Sequence, residues 1–190
     1  MGNLKKIIFG LYLVFIVNNS FSQVDSLNRI NKYGIGQFKI DSSLKKIDFS
    51  KFNKVIDSSM YFSEDENDIG NGKYIYLSKK EYIVIWSQND WITEIWTNSS
   101  IYSTDDGIKV GISFELLFNI LKNKYQIEDD FGELMLFDKR NHIRIWISNS
   151  KSNTFNDKEM NDLYHNILSI NKIKLSKMKV KKIDLINLTD

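Results

Sequence analysis

Two stretches of this chain resemble each other at a fixed spacing of 60 residues: Gly72 to Trp86, GKYIYLSKKEYIVIW, and Gly132 to Trp146, GELMLFDKRNHIRIW. The glycines, Lys79 and Lys139, the isoleucine pairs Ile83/Ile85 and Ile143/Ile145, and the closing tryptophans coincide. Self-similarity at one period marks a structural unit used more than once, and that restricts the folds open to the chain. Each stretch has an apolar run on both sides of a polar centre, the pattern of a β-hairpin. The turns are expected at Ser78–Glu81 and Asp138–Asn141.

The similarity extends beyond the hairpins. Lys39, Ile40, Ser43, Leu44 and Ile47 match Lys109, Val110, Ser113, Phe114 and Leu117 at a spacing of 70. The change of spacing places about ten extra residues in the first copy, and the acidic stretch Ser63 to Asn71 has the composition of the loop that would hold them. Ser113 suits a helix N-cap, and Phe114, Leu117, Phe118, Leu121 and Tyr125 form one apolar helical stripe. Ser43 to Val55 would be the matching, weaker helix. Tyr33 to Ile40 reads as a strand with a glycine turn. Each hairpin leads to a third strand, Ile92–Ile95 and Val180–Ile183, whose apolar-x-x-apolar spacing predicts a bulge. Asn156 and Glu159 make a capping box before Met160, Leu163, Tyr164, Ile167 and Leu168, which predicts an extra helix in the second copy. The expected fold is therefore α+β. It has two tandem repeats, 23–100 and 101–190, each a helix packed on an antiparallel three- to four-stranded meander.

Residues 1–22 read as a signal peptide. Lys5 and Lys6 precede an 11-residue apolar run, Ile7–Val17, too short to span a membrane. Ser20, Phe21 and Ser22 then suit cleavage before Gln23. The remaining 168 residues carry 24 basic and 24 acidic side chains, a balance that argues against a nucleic-acid partner. No later apolar run predicts stable membrane insertion. Cysteine is absent, which removes disulfides, thiolate nucleophiles and a lipid-bearing cysteine. A secreted or periplasmic location is expected.

The run Thr104, Gly107, Ile108, Gly111, Ser113, entering a helix and then a meander, resembles small modules of bacterial envelope and secreted proteins. The β-lactamase-inhibitor protein, with two such modules in tandem, is similar in layout, as is the small lipoprotein of the outer-membrane β-barrel assembly machinery. The chain lacks the cysteines of both. The resemblance implies non-catalytic protein binding and carries over no individual residue.

The candidate site follows from strand parity. Ile83, Ile85, Ile143, Ile145 and Ile147 alternate with Tyr82, Trp86, His142, Arg144 and Trp146, so the second set shares the face opposite the isoleucines. Aromatic rings with an arginine are the usual composition of a protein-binding hot spot. The competing reading buries the tryptophans as structural residues. Trp91 and Trp96 offer a sugar-stacking platform or, more simply, edge-strand packing, so the alternative function is small-ligand or glycan binding. Asp65, Asn67 and Gly70 fit three positions of a calcium loop, but Ile69 and Tyr76 stand where oxygen donors are needed. His142 and His165 lie in different elements with no His-x-x-x-His or His-Glu pattern, so no zinc site is expected, and without a Gly-x-Ser-x-Gly elbow no catalytic triad is expected either. The lysines between Lys172 and Lys182 suit an edge strand that repels unwanted pairing. The expectation is a protein binder with no enzymatic activity and no cofactor or metal.

Overall fold

The computed structural model describes residues 27–61, 69–120, 124–130, 133–148, 158 and 177–187. The expected signal peptide lies outside these residues, as does the extra helix apart from Lys158. The described chain is mostly β and corrects the α+β expectation. Four short strands, β1 (Arg29–Asn31), β2 (Gly34–Ile35), β3 (Phe38–Lys39) and β8 (Ser103–Thr104), form a small sheet in the order β3-β2-β1-β8. Eight more form one large antiparallel sheet. They are β4 (Val55–Tyr61), β5 (Ile69–Tyr76), β6 (Tyr82–Gln88), β7 (Trp91–Thr97), β9 (Gln126–Asp130), β10 (Glu133–Asp138), β11 (Ile143–Ser148) and β12 (Lys179–Ile186). Their order is β4-β5-β6-β7-β12-β11-β10-β9, so two four-stranded meanders meet at a β7–β12 seam. Separate modules, each with its own covering helix, are not what forms.

The helix expected from Ser43 to Val55 is replaced by two single 3₁₀ turns, Leu44–Lys46 and Phe49–Lys51, and by the start of β4. The reason is local. Ile47 is already extended, at φ −90° and ψ 122°, and the Asp48 carboxylate accepts from Ser50 N at 3.2 Å, which restarts the chain in a new turn. The second-copy helix does form, as α1 (Phe114–Ile120). Ser113 Oγ accepts from Leu116 N at 3.4 Å. Phe114 and Leu117 are fully buried while Leu116 faces out, as a single apolar stripe requires. Tyr125 lies beyond the helix rather than on it. Gly107 and Gly111, at φ 80° and 89°, make the turns that lead into α1.

The expected bulges are present. Trp86 pairs with Glu94 but Ser87 with Ile92, and Trp146 pairs with Lys182 but Ile147 with Val180. Thr93 and Lys181 are thus the extra residues, and the apolar residues around them all reach the core: Ile92, Ile95, Val180 and Ile183. That core lies between one face of the large sheet and the layer made by the small sheet, the 3₁₀ turns and α1. Ile30, Ile35, Phe38, Ile108 and Phe114 meet Ile83, Ile85, Ile145 and Ile183 there.

The two similar hairpins do not superpose residue for residue. Gly72 pairs with Trp86, but Met135, not Gly132, pairs with Trp146. The last pair before the turn is Tyr76 with Tyr82 in one hairpin and Asp138 with Ile143 in the other. The two registers therefore differ by three residues. An odd difference exchanges the faces of the first strand. Tyr74 and Tyr76 consequently point away from the core, whereas Leu134 and Leu136, which match them in sequence, point into it. The acidic segment is also shorter as a loop than expected, because Ile69 to Asn71 pair with β4.

Candidate functional site

The candidate site occupies the large-sheet face turned away from the core. Strand registers put Tyr82, Trp86, Arg144 and Trp146 on it, as alternation requires. His142 does not join them within a strand; it sits in the β10–β11 turn at φ 56°. Trp86 and Trp146 are buried, at 6% and 7% exposure, and Tyr82 and Arg144 are half-buried. The two tryptophans are therefore not exposed anchors.

Each tryptophan has a structural partner. The Trp86 indole lies across β5 at Gly72. A Cβ at that position would fall 2.4 Å from a ring carbon of Trp86, so only glycine leaves room for the ring. Trp146 Nε1 donates to Asp184 Oδ2 at 2.6 Å. Asp184 has no exposed surface, and its other partners are Arg144 Nε at 2.7 Å and Lys182 Nζ at 3.3 Å. Arg144 also reaches Glu94 Oε1 at 3.3 Å. Lys182 Nζ stands 4.4 Å from the ring centre of Trp146 and 5.0 Å from that of Trp96. Two carboxylates and two cations are thus interleaved with two indoles across the β7–β12 seam. Burial raises the Glu94 pKa; the neighbouring Asp184 charge raises it further, and Arg144 and Lys182 offset part of the shift. This group holds the seam together, so Arg144 is a structural side chain as well as a surface one.

The rings that remain half-exposed on this face are Tyr74, Tyr76, Tyr82 and Trp96. They form one cluster. Ring centres are 5.6 Å apart for Tyr76 and Tyr82, 5.8 Å for Tyr74 and Tyr82, 5.4 Å for Tyr82 and Trp96, and 6.2 Å for Tyr74 and Trp96. The last two pairs meet edge to face, a favoured aromatic geometry. Burial and then the neighbouring phenols push the Tyr82 pKa up. Lys54 Nζ stands 4.5 Å from the Tyr76 ring centre, so cations border the cluster at Tyr76 and at Trp96. Tyr74 and Tyr76 were not legible as surface residues, because their sequence counterparts are leucines. For Trp96 the sequence suggests packing on an edge strand. Its strand, β7, instead lies inside the sheet between β6 and β12. Trp91, from the same strand, is 55% exposed beside the β6–β7 turn.

Among the described residues no group of three or more metal-ligating side chains comes together, and no helix is long and apolar enough to cross a membrane. No protein-family model matches the chain, and no curated protein matches it in sequence. Among solved structures, the chain is similar to the uncharacterised protein YfeY from Escherichia coli, with 16% identity and a TM-score of 0.56 over 84% of this chain and 99% of that one. A second match, a cysteine-rich secretory protein from Staphylococcus aureus, has 13% identity and a TM-score of 0.39, covering 86% of this chain and 49% of that one. The likeness to YfeY is a likeness of fold.

Proposed function

We propose that this chain is an exported, non-catalytic protein-binding module of the inhibitor, immunity or envelope-assembly type. It docks its partner on the ring cluster Tyr74, Tyr76, Tyr82 and Trp96. The observation that carries this reading is the contiguity of four half-exposed rings on a sheet face. Tyrosine and tryptophan give large contact area for little lost side-chain entropy, and they dominate binding hot spots. Strands rather than loops carry all four, so the surface is rigid before the partner arrives. Lys54 and Lys182 at its border favour a partner whose apolar patch is rimmed by carboxylates. Export is supported by Lys5 and Lys6, the short apolar run Ile7–Val17 and the small residues Ser20 and Ser22 that follow it.

The test compares capture from an envelope extract by the native protein and by a Tyr82→Ser, Trp96→Ser double variant with an unchanged far-UV spectrum. A defined protein retained by the first and lost by the second is expected. Equal retention by both, or no defined protein on the native surface, overturns the reading.

A further inference from the structure

The aromatic cluster leaves Trp91 unused, and Trp91 borders a separate cleft of about 470 Å³. That volume lies within the range of small-molecule sites. Asp41, Gln88, Asn89, Trp91, Glu94 and Asn187 line it. They come from three separate places in the chain: the end of the small sheet, the β6–β7 hairpin with β7, and the residue after β12. They supply amides and carboxylates to the same cleft as one exposed indole. Among the described residues the lining contains no lysine or arginine, and Arg144, which reaches Glu94 from the seam, is shared with the buried Asp184, so phosphate and carboxylate ligands meet mainly acceptors there.

The cleft is a fixed shape. Asn89 and Asp90 are the two central residues of the hairpin turn, both at positive φ (50° and 69°), and they set Gln88 directly across from Trp91. Trp91 also bridges to Ser43, so both sides of its backbone are held. Asp41 adopts φ 60°, and its N–H donates to Ile92 O at 3.0 Å. Its carboxylate accepts from Asn187 Nδ2 at 2.5 Å, while Asn187 N donates to Thr93 O at 2.8 Å. Thr93 is the bulged residue of β7, and bulges re-aim strands next to sites.

We propose that this cleft binds a neutral saccharide, one sugar ring lying on the Trp91 indole and its hydroxyls meeting Asp41, Asn89, Glu94 and Asn187. An indole face takes the C–H face of a sugar, and planar acceptors and donors take its hydroxyls in pairs. The site is distinct from the ring cluster, so the two can be tested apart.

The test titrates the purified protein with chitotriose, cellotriose and maltotriose, and with spermidine as a cationic probe for the two carboxylates. Binding is followed by tryptophan fluorescence and by backbone amide shifts. At least one trisaccharide should bind, with shifts confined to residues 41, 88–94 and 187. Trp91→Ala should weaken it by roughly tenfold or more. Asn187→Ala should weaken it too, and Tyr82→Ser with Trp96→Ser should leave it unchanged. Trp91 is exposed, so its removal leaves the fold intact. The proposal is overturned by absence of any trisaccharide shift, by binding that survives Trp91→Ala, or by spermidine binding alone.

Discussion

Gly72 and Asp184 each permit one buried indole on a sheet face that meets solvent nearby. Gly72→Ala forces a methyl group into the Trp86 ring, and neither ring nor strand can yield without losing packing. A loss of about 2 kcal/mol is expected, with a red-shifted emission, measured by urea titration. Asp184→Ala removes the shared acceptor of Arg144, Trp146 and Lys182, and leaves Arg144 with Glu94 alone. Its cost should be about 3 kcal/mol, at the lower end for a broken buried pair because Arg144 keeps some solvent contact. Glu94 is different in sign. Its folded pKa is raised above the ordinary 4.5, so the folded state holds the proton more tightly than the unfolded chain does. Stability from this group is present below 4.5 and falls as pH rises through the raised value. Glu94→Gln should flatten that slope and leave the protein no less stable at neutral pH, as thermal melts across pH will show.

Sequence legibility varied by element. Both bulges were readable because only an extra residue lets Ile92 and Ile95, or Val180 and Ile183, face the same core. The α1 stripe was readable for the same kind of reason. Ser43–Val55 has helical spacing at Leu44, Ile47 and Phe52, but its polar, irregular stretch Asp48–Asn53 is where Asp48 and the extended Ile47 break it into turns. The outward set Tyr82, Trp86, Arg144, Trp146 followed from period two, but period two says nothing about what lies over a face. The burial of the two tryptophans was therefore not legible, nor were Tyr74 and Tyr76. The Asn89, Asp90 turn offers a test at this scale. Asp90 holds φ 69°, a conformation glycine adopts freely, and its ion pair with Lys45 is exposed. Asp90→Gly should raise stability by about 0.5 kcal/mol in denaturant titration, since exposed pairs contribute little.

Across the whole molecule, the β7–β12 seam makes one sheet of two meanders. Thr97 pairs with both Ile83 and Ile183, so its strand belongs to both halves at once. A single cooperative unfolding transition is expected. Amide exchange in β6 and in β11 should open at the same free energy; a weaker half would show as two separate values.

The three-residue offset between the hairpins has a practical outcome. Although their sequences look like duplicates, they are not spare parts for one another. A chimera carrying residues 133–148 whole in place of the first hairpin would aim Leu134 and Leu136 inward, whereas one carrying only 133–136 and 142–146 around the first hairpin's own 77–81 turn would aim them outward. Only the version that retains its own Asp138-headed turn should fold, and nuclear magnetic resonance dispersion would tell the two apart.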